Sequence, residues 1–374
     1  MSARVYLDWN ATTPPRPEVI VAMGEVMRTA WANPASVHGD GRAARRHLEA
    51  ARSAVASLFG YDGRDVVLTS GGTESNNLAL RSAFSRGKGG VLVTSRAEHP
   101  SIVRVAEALV SEGLCDVVWL GLEAGGVVRL GDLERALGAG NVRLVALQAV
   151  NQETGALQPV AEAIALAHLA GAKVHVDAVQ AVGRVSLDFV FGADTIAIAA
   201  HKARGPKGIG ALATKPGVKL HPYVFGGSQE RGLRPGTVDP VAAAGLAAAL
   251  DLAVSGPSRY AAIAALRDGL EARLATFAER PPALSPAARA PHVTSLLFSG
   301  WEGPELVAAL DLEGVSVSSG SACSAGTAEP SPVVAALLGA RAREAVRVSM
   351  GEDTTQADVE RALHAFEKVL ERGP

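Results

Sequence analysis

Short apolar runs of strand length alternate with amphipathic segments of helix length through most of this chain. The runs fall at residues 65–69, 90–94, 117–120, 142–148, 173–177 and 195–199. Between them lie helical patterns such as 42–58, 74–86 and 160–170. Strands that are apolar almost throughout need cover on both faces, and a β-α-β-α order supplies it. The expected fold class is therefore α/β, with a mostly parallel sheet between helices. Ligands of such folds bind beyond the carboxyl ends of the strands, which directs attention to the residues just after each run.

Near Ser255-Gly-Pro the pattern changes. A long amphipathic helix over about 259–279 precedes a Pro/Ala-rich stretch, strands near 293–298 and 315–318, and a closing helix from Thr355. This reads as a smaller α+β unit. Lys+Arg is 36 and Asp+Glu is 38, so the basic excess of a nucleic-acid binder is missing and no direct nucleic-acid partner is expected. The apolar stretch 241–254 is too short to span a bilayer and contains Asp251, so no membrane association is expected. The N-terminus lacks the apolar region of a signal peptide. Two cysteines, Cys115 and Cys323, build neither a disulfide framework nor a Cys-rich metal site within one chain. A reducing compartment, the cytoplasm, is expected.

Several run ends carry chemistry. Asp177 closes an apolar strand; it suits either a helix N-cap or a buried anion awaiting a cation in the cleft. His201-Lys202 follows the next strand. Burying a lysine disfavours its charge and prepares the amine for imine formation. A lone lysine here would simply reach solvent, as Lys207 in its glycine-rich turn is expected to do. Lys202 together with Asp177 is what pyridoxal phosphate requires: a Schiff-base amine and a carboxylate facing the pyridinium nitrogen. Thr69-Ser-Gly71-Gly72-Thr73-Glu74, between a strand and a helix, offers N–H groups and a positive dipole end to a phosphate. Cys115 has an apolar setting and reads as a core thiol, whereas small residues surround Cys323, which reads as an exposed, reactive thiol.

Taken together, the motifs resemble the cysteine desulfurases of the NifS/IscS type. They are Tyr6-Leu-Asp-Trp-Asn-Ala-Thr-Thr13, Asn33-Pro-Ala-Ser-Val-His38-Gly39, Ser70-Gly-Gly-Thr-Glu-Ser-Asn-Asn77, Glu98-His99-Pro100, Asn151-Gln-Glu153-Thr-Gly155, His175-Val-Asp177-Ala-Val-Gln180, His201-Lys202 and Ser318-Ser-Gly-Ser-Ala-Cys323. The resemblance implies a fold-type I pyridoxal 5'-phosphate enzyme of the class V aminotransferases, with a seven-stranded sheet. It implies a large domain over 15–255 and a small one combining 1–14 with 256–374. It implies conversion of L-cysteine to L-alanine, with the sulfur left on Cys323 as a persulfide.

By the same resemblance Lys202 holds the cofactor, Asp177 faces the ring nitrogen and Gln180 the phenolic oxygen. His99 stacks on the ring and takes part in proton transfer. Asn151 contacts the cofactor or the substrate carboxylate. Gly72, Thr73 and His201 bind phosphate, with Thr237 reaching in from the other subunit of a homodimer. Arg347 pairs with the substrate carboxylate. No resident metal is implied, although Cys323 could transiently ligate an iron–sulfur cluster with a partner. The sulfur acceptor would be an iron–sulfur scaffold or a thiolation enzyme. Ala199 stands where the family usually has a serine, and Trp9 where it usually has a polar or smaller residue. Selenocysteine lyase, another class V aminotransferase and a sulfur-binding protein without catalysis are the alternatives. A nicotinamide dehydrogenase is disfavoured because the first βα turn lacks G-x-G-x-x-G.

Overall fold

The computed structural model describes residues 4–85, 89–320 and 331–374, so Cys323 lies outside the described residues. The elements in chain order are β1 (Val5–Tyr6), α1 (Pro17–Thr29), α2 (Gly39–Phe59), β2 (Val66–Thr69), α3 (Gly72–Phe84), β3 (Val91–Ser95), α4 (Pro100–Ser111), β4 (Asp116–Leu120), α5 (Leu130–Gly138), β5 (Val142–Gln148) and α6 (Val160–Leu169). They continue with β6 (Lys173–Asp177), β7 (Thr195–Ala199), β8 (Gly210–Thr214), α7 (Pro240–Ala253), α8 (Gly256–Leu274), β9 (Val293–Leu297), α9 (Gly303–Leu312), β10 (Val315–Ser316), α10 (Pro332–Leu338), β11 (Ala345–Ser349) and α11 (Gln356–Arg372). Short 3-10 turns join several of them.

The central sheet has seven strands in the order β2-β8-β7-β6-β5-β3-β4. Only β8 runs against its neighbours, pairing antiparallel with both β2 and β7. Every residue of β2, β7 and β8 is buried, as cover on both faces demands. The helices supply that cover. On α2 the residues Ala44, Leu48, Ala51, Val55 and Phe59 recur at helical spacing and are buried, and Gly60 ends the helix at φ +69°. β8 does not stand out as a strand in the sequence, because Gly-Ala-Leu-Ala-Thr has little β propensity. Its small residues answer a packing need: a Cβ on Gly210 would come within 2.7 Å of the Gly71 Cα, so the glycine lets the β2–α3 turn lie against the strand.

A second hydrophobic cluster joins the N-terminus to the C-terminal third. Val5 and Leu7 pack with Tyr260, Leu270, Phe298, Leu306, Val346, Met350 and Phe366. β1 pairs in parallel with β10, and β9 pairs antiparallel with β11. Trp9 now has a physical account. Its Nε1 donates to the Tyr6 carbonyl at 3.1 Å, Arg204 lies over its ring at 5.3 Å, and its indole fills the space where a Gly351 side chain would go. Glu352, next in sequence, is an ion-pair hub for Arg16, for Arg204 at 2.7 Å and for Arg259 of α8 at 2.5 Å. The N-terminal segment is thereby pinned between the two clusters. Among the described residues no single helix is long and apolar enough to cross a membrane.

Gly351→Ala should loosen this seam. The added methyl would fall within the Trp9 ring, an overpacking that costs about 1–3 kcal/mol. A thermal unfolding midpoint several degrees below wild type is expected, and an unchanged midpoint would show that the indole has room to move.

Candidate active site

Five strands that run the same way, β2, β7, β6, β5 and β3, end at one edge of the sheet, and a cavity of about 200 Å³ opens there. Gly72, Thr73, His99, Asp177, Gln180, His201, Lys202 and Arg347 all line it, together with Asn10, Asn76, Ser101, Gln152 and Ala199. The turn after β2 begins α3 at Gly72 with no side-chain cap, so the first N–H groups of that helix face the cavity end where Thr73 and His201 lie. A Cβ on Gly72 would press to 2.6 Å from Val179, so only glycine keeps this wall in place.

Asp177 ends β6 as a buried residue. Its Oδ1 accepts from the Val179 N–H at 3.0 Å and its Oδ2 from Asn76 Nδ2 at 2.7 Å. The same Asn76 amide donates to Ser101 Oγ at 2.8 Å, and its Oδ1 meets His175 Nε2 at 2.9 Å. His175 Nδ1 meets Thr195 Oγ1 at 2.8 Å. Burial pulls His175 down to about 3, so the ring is neutral and leaves the carboxylate without a competing cation. His99 caps α4: its Nδ1 accepts from the Ser101 N–H at 3.1 Å, which leaves the proton of the neutral ring on Nε2. Burial lowers the His99 pKa, with Asp177 opposing and Lys202 adding to the fall. His201 falls to about 4, through burial and then the charges of Lys202, Lys207 and Arg184.

Lys202 Nζ donates to the carbonyls of Asn10 at 2.5 Å and Ala11 at 2.8 Å. Its turn is held rigidly: the next residue but one, Arg204, takes φ +64°, and its N–H donates to Thr13 Oγ1 at 2.9 Å. Arg347 reaches the cavity from β11. Its Nη2 pairs with Asp8 at 2.8 Å and its Nη1 with Glu153 at 3.1 Å. Burial pushes the Glu153 carboxyl up, although Arg347 opposes it.

Asn151 and Thr237 do not line this cavity, and Thr237 is expected at that of the other subunit. Asn151 is fully buried and does not line the cavity. Its Oδ1 accepts the N–H groups of Glu153 at 2.8 Å and Thr154 at 2.9 Å, and its Nδ2 donates to the Ala97 carbonyl at 3.1 Å. The side chain shapes the turn after β5, and its neighbour Gln152 faces the cavity instead. Thr237 is exposed and borders a separate cleft of about 1010 Å³ with Arg45, Arg52 and Arg231. Cys115 is buried, and burial followed by Asp116 raises its thiol to about 11, as befits an inert core cysteine.

Residues 5–362 match the model of the family described as aminotransferase class V. The chain belongs to the class V aminotransferase family. A curated relative in it, the cysteine desulfurase IscS of Dictyoglomus turgidum, is 35% identical, with 100% of this chain and 96% of the relative covered. A solved NifS-like protein superposes at TM-score 0.90 with 31% identity, over 99% of this chain and 100% of that one. The structure of SspA in complex with cysteine aligns at TM-score 0.80 and 29% identity, over 94% of this chain and 99% of that one. Within the class V aminotransferases the chain thus groups with the cysteine desulfurases of the NifS/IscS type.

Four further groups bear on the site in ways the sequence alone did not show: Asn10 and Asn76 line the cavity, and Arg184 and Glu98 are buried against Gln180 and next to His99. Asn10 and Asn76 sit inside motifs already noted, but an asparagine gives no signal of how many partners it will hold. Glu98, beside His99, is 2% exposed, and neither carboxyl oxygen has a hydrogen-bond partner of good geometry. Burial, then the charge of Asp177, raises its pKa well above the ordinary carboxyl value.

Glu98 is therefore neutral in the native state at pH values where the unfolded chain ionises it. The native state binds more protons, so rising pH removes stability from the wild type above the unfolded carboxyl pKa. Glu98→Gln escapes this loss. Its stability should match wild type near pH 4 and exceed it increasingly at higher pH, by at most about 1.4 kcal/mol per pH unit. Denaturant unfolding at several pH values reads this, and parallel pH profiles would rule it out.

Proposed function

We propose that this chain is a pyridoxal-phosphate-dependent cysteine desulfurase, which converts L-cysteine to L-alanine and leaves the sulfur on Cys323 as a persulfide. The convergence of Lys202, Asp177, Gln180 and the α3 N-terminus on one cavity supports it most directly. The fit to the cofactor rests on complementary chemistry: an amine, a buried carboxylate, and an uncapped helix end walled by Gly72. When bound, pyridoxal phosphate supplies an aldehyde that condenses with amines and a ring that withdraws electrons from the amino-acid Cα.

This chain's residues divide the remaining work. Lys202 would hold the aldehyde, release it to the incoming amine, and then carry the α-proton. Asp177 would keep a proton on the ring nitrogen, and Gln180 would donate to the phenolic oxygen. Gly72, Thr73 and His201 would hold the phosphate, with Thr237 of a second copy completing the site in a homodimer. A neutral His99 would lie on the ring and exchange a proton through Nε2. Arg347 would take the substrate carboxylate. Cys323, as thiolate, would attack the substrate Sγ. The Cβ–S bond breaks, its electron pair stays with carbon and is protonated, and alanine leaves. The persulfide then passes to an acceptor, an iron–sulfur scaffold or a thiolation enzyme. SspA bound to cysteine favours this substrate for the family's architecture. The change of core near residue 255 and the joining of Val5 and Leu7 to the C-terminal cluster support division into a large domain, 15–255, and a small one, 1–14 with 256–374. A reaction that depends on a free thiolate suits the cytoplasm.

Cys323→Ala separates the two halves of this chemistry. The variant should still change its visible absorbance on binding L-cysteine, while sulfide release falls by orders of magnitude and no persulfide is found by non-reducing mass spectrometry. Cys115→Ala should behave as wild type. Lys202→Ala should lose the visible band and all turnover. Wild-type sulfide release by Cys323→Ala would overturn the proposed nucleophile.

Ala199 lines the cavity within 3.9 Å of the position a Gly72 Cβ would occupy. Ala199→Ser should add one phosphate hydrogen bond, about 0.5–1.5 kcal/mol. The dissociation constant for pyridoxal phosphate should fall several-fold in a fluorescence titration of apoprotein, and an equal constant would show that the phosphate needs no hydroxyl there.

A further inference from the structure

Arg184 is 1% exposed, and the groups engaging it include no carboxylate. Its Nη2 donates to the carbonyls of Trp9 at 2.9 Å and Lys202 at 3.1 Å. Its Nη1 donates to Asn10 Oδ1 at 3.0 Å and to Gln180 Oε1. Tyr260 of α8 shares its surroundings. A buried guanidinium held only by neutral oxygens is costly, and such an arrangement calls for a reason.

The hydrogen bonds of Gln180 supply one. Its Nε2 donates to the Asn10 carbonyl at 3.1 Å while its Oε1 accepts from Arg184. Turning the amide over would set N–H groups against the guanidinium and an oxygen against the Asn10 carbonyl. Arg184 therefore fixes the amide so that its second N–H, and not its oxygen, is the group left for the cavity. The guanidinium charge also polarises that amide and strengthens its N–H as a donor.

We propose that Arg184 is a positioning residue that acts through Gln180 to stabilise the anionic phenolic oxygen of the bound cofactor. The proposal rests on the pyridoxal-phosphate reading above. It predicts a property of the resting holoenzyme that is independent of turnover. Stabilising the phenolate makes the adjoining imine nitrogen less basic, so the visible absorbance band titrates at lower pH when Arg184 is present.

The other charged or titratable groups around this point are His99, Asp177, His201, Lys202 and Arg347 in the cavity wall, with Arg16, Arg204, Tyr260 and Glu352 behind Arg184 and His292 on Asn10 Oδ1. All are retained in the test. Arg184→Met holoenzyme should show the midpoint of the visible band raised by about one pH unit, a tenfold change in proton affinity. Gln180→Ala should raise it similarly, and the double variant should add little to either single one. Arg184→Lys keeps a charge but not the two-pronged grip, so it should fall between wild type and Arg184→Met. Gln180→Glu keeps a partner for Arg184, and with it the fold, but presents no donor; it should also raise the midpoint if Arg184→Met does not fold. A wild-type midpoint in Arg184→Met, or in Arg184→Lys and Gln180→Glu where that variant fails to fold, overturns the proposal. Fully additive shifts in the double variant would overturn the route through Gln180. Wild-type protein without any visible band after incubation with pyridoxal phosphate would instead overturn the functional reading itself.

Discussion

One residue of the N-terminal segment holds the cavity together. The Asn10 carbonyl accepts from both Gln180 Nε2 and Lys202 Nζ, and its Oδ1 accepts from Arg184 at 3.0 Å and meets His292 Nε2 at 2.9 Å. Its Nδ2 donates to the Gln152 carbonyl at 2.9 Å and its N–H to Ser349 Oγ at 3.0 Å. Every polar atom of the residue is engaged, and the partners come from β11, from the segment before β9 and from the turns after β5, β6 and β7. The sheet places those turns at one edge, but parallel strands alone do not fix side chains at their ends to the accuracy that chemistry needs. The N-terminal segment does so, and it is itself fixed from behind by Trp9 against Gly351 and by Glu352 with its arginines.

Electrostatics at the site follow from which buried groups are kept neutral. His175, His201 and His99 all have lowered pKa values, each with burial as the largest cause. Glu98, next to His99 in sequence, is kept protonated by burial. Asp177, by contrast, has N–H donors on both oxygens, from the Val179 backbone and the Asn76 amide. The cavity thus presents a carboxylate at one point, the Lys202 amine and the Arg347 guanidinium at others, and histidines that act as neutral donors and acceptors. This pattern suits a ligand with a cationic ring nitrogen and anionic oxygens.

Much of this was legible in the sequence, for definable reasons. The strands at 142–148, 173–177 and 195–199 are apolar, β-branched or alanine-rich, and flanked by helical patterns, so their bounds agree with β5, β6 and β7. Lys202 and Asp177 were legible because a charge at the end of a buried strand needs a reason. β8 was not, because its glycine and alanines answer to the backbone packed against them and not to strand propensity. Asn151 has a structural part that its motif did not show. Its motif pointed toward a ligand, whereas in the structure its amide closes the turn that aims Gln152 inward. Arg184 lies four residues beyond Gln180 with no mark in the local pattern. Its meaning depends on the carbonyls of Trp9 and Lys202 and on Asn10 Oδ1, which only the folded chain assembles.

Arg347 illustrates how the fold prepares a cation without leaving it bare. The guanidinium is 3% exposed, and a buried arginine without partners would be prohibitively unfavourable. Asp8 and Glu153 hold its two terminal nitrogens, while its Nε has no hydrogen-bond partner. The two acids are not equivalent. Glu153 is wholly buried and its carboxyl is pushed upward, while the Asp8 side chain is 18% exposed and can turn toward solvent at less cost. In the role proposed for Arg347, a substrate carboxylate entering the cavity would compete most readily with Asp8, exchanging one charge-assisted pair for another. The net gain is then smaller than for a free guanidinium, and the planar fork is already oriented when the substrate arrives. Orientation is secured in the fold, and only the difference between the two carboxylates is left to binding.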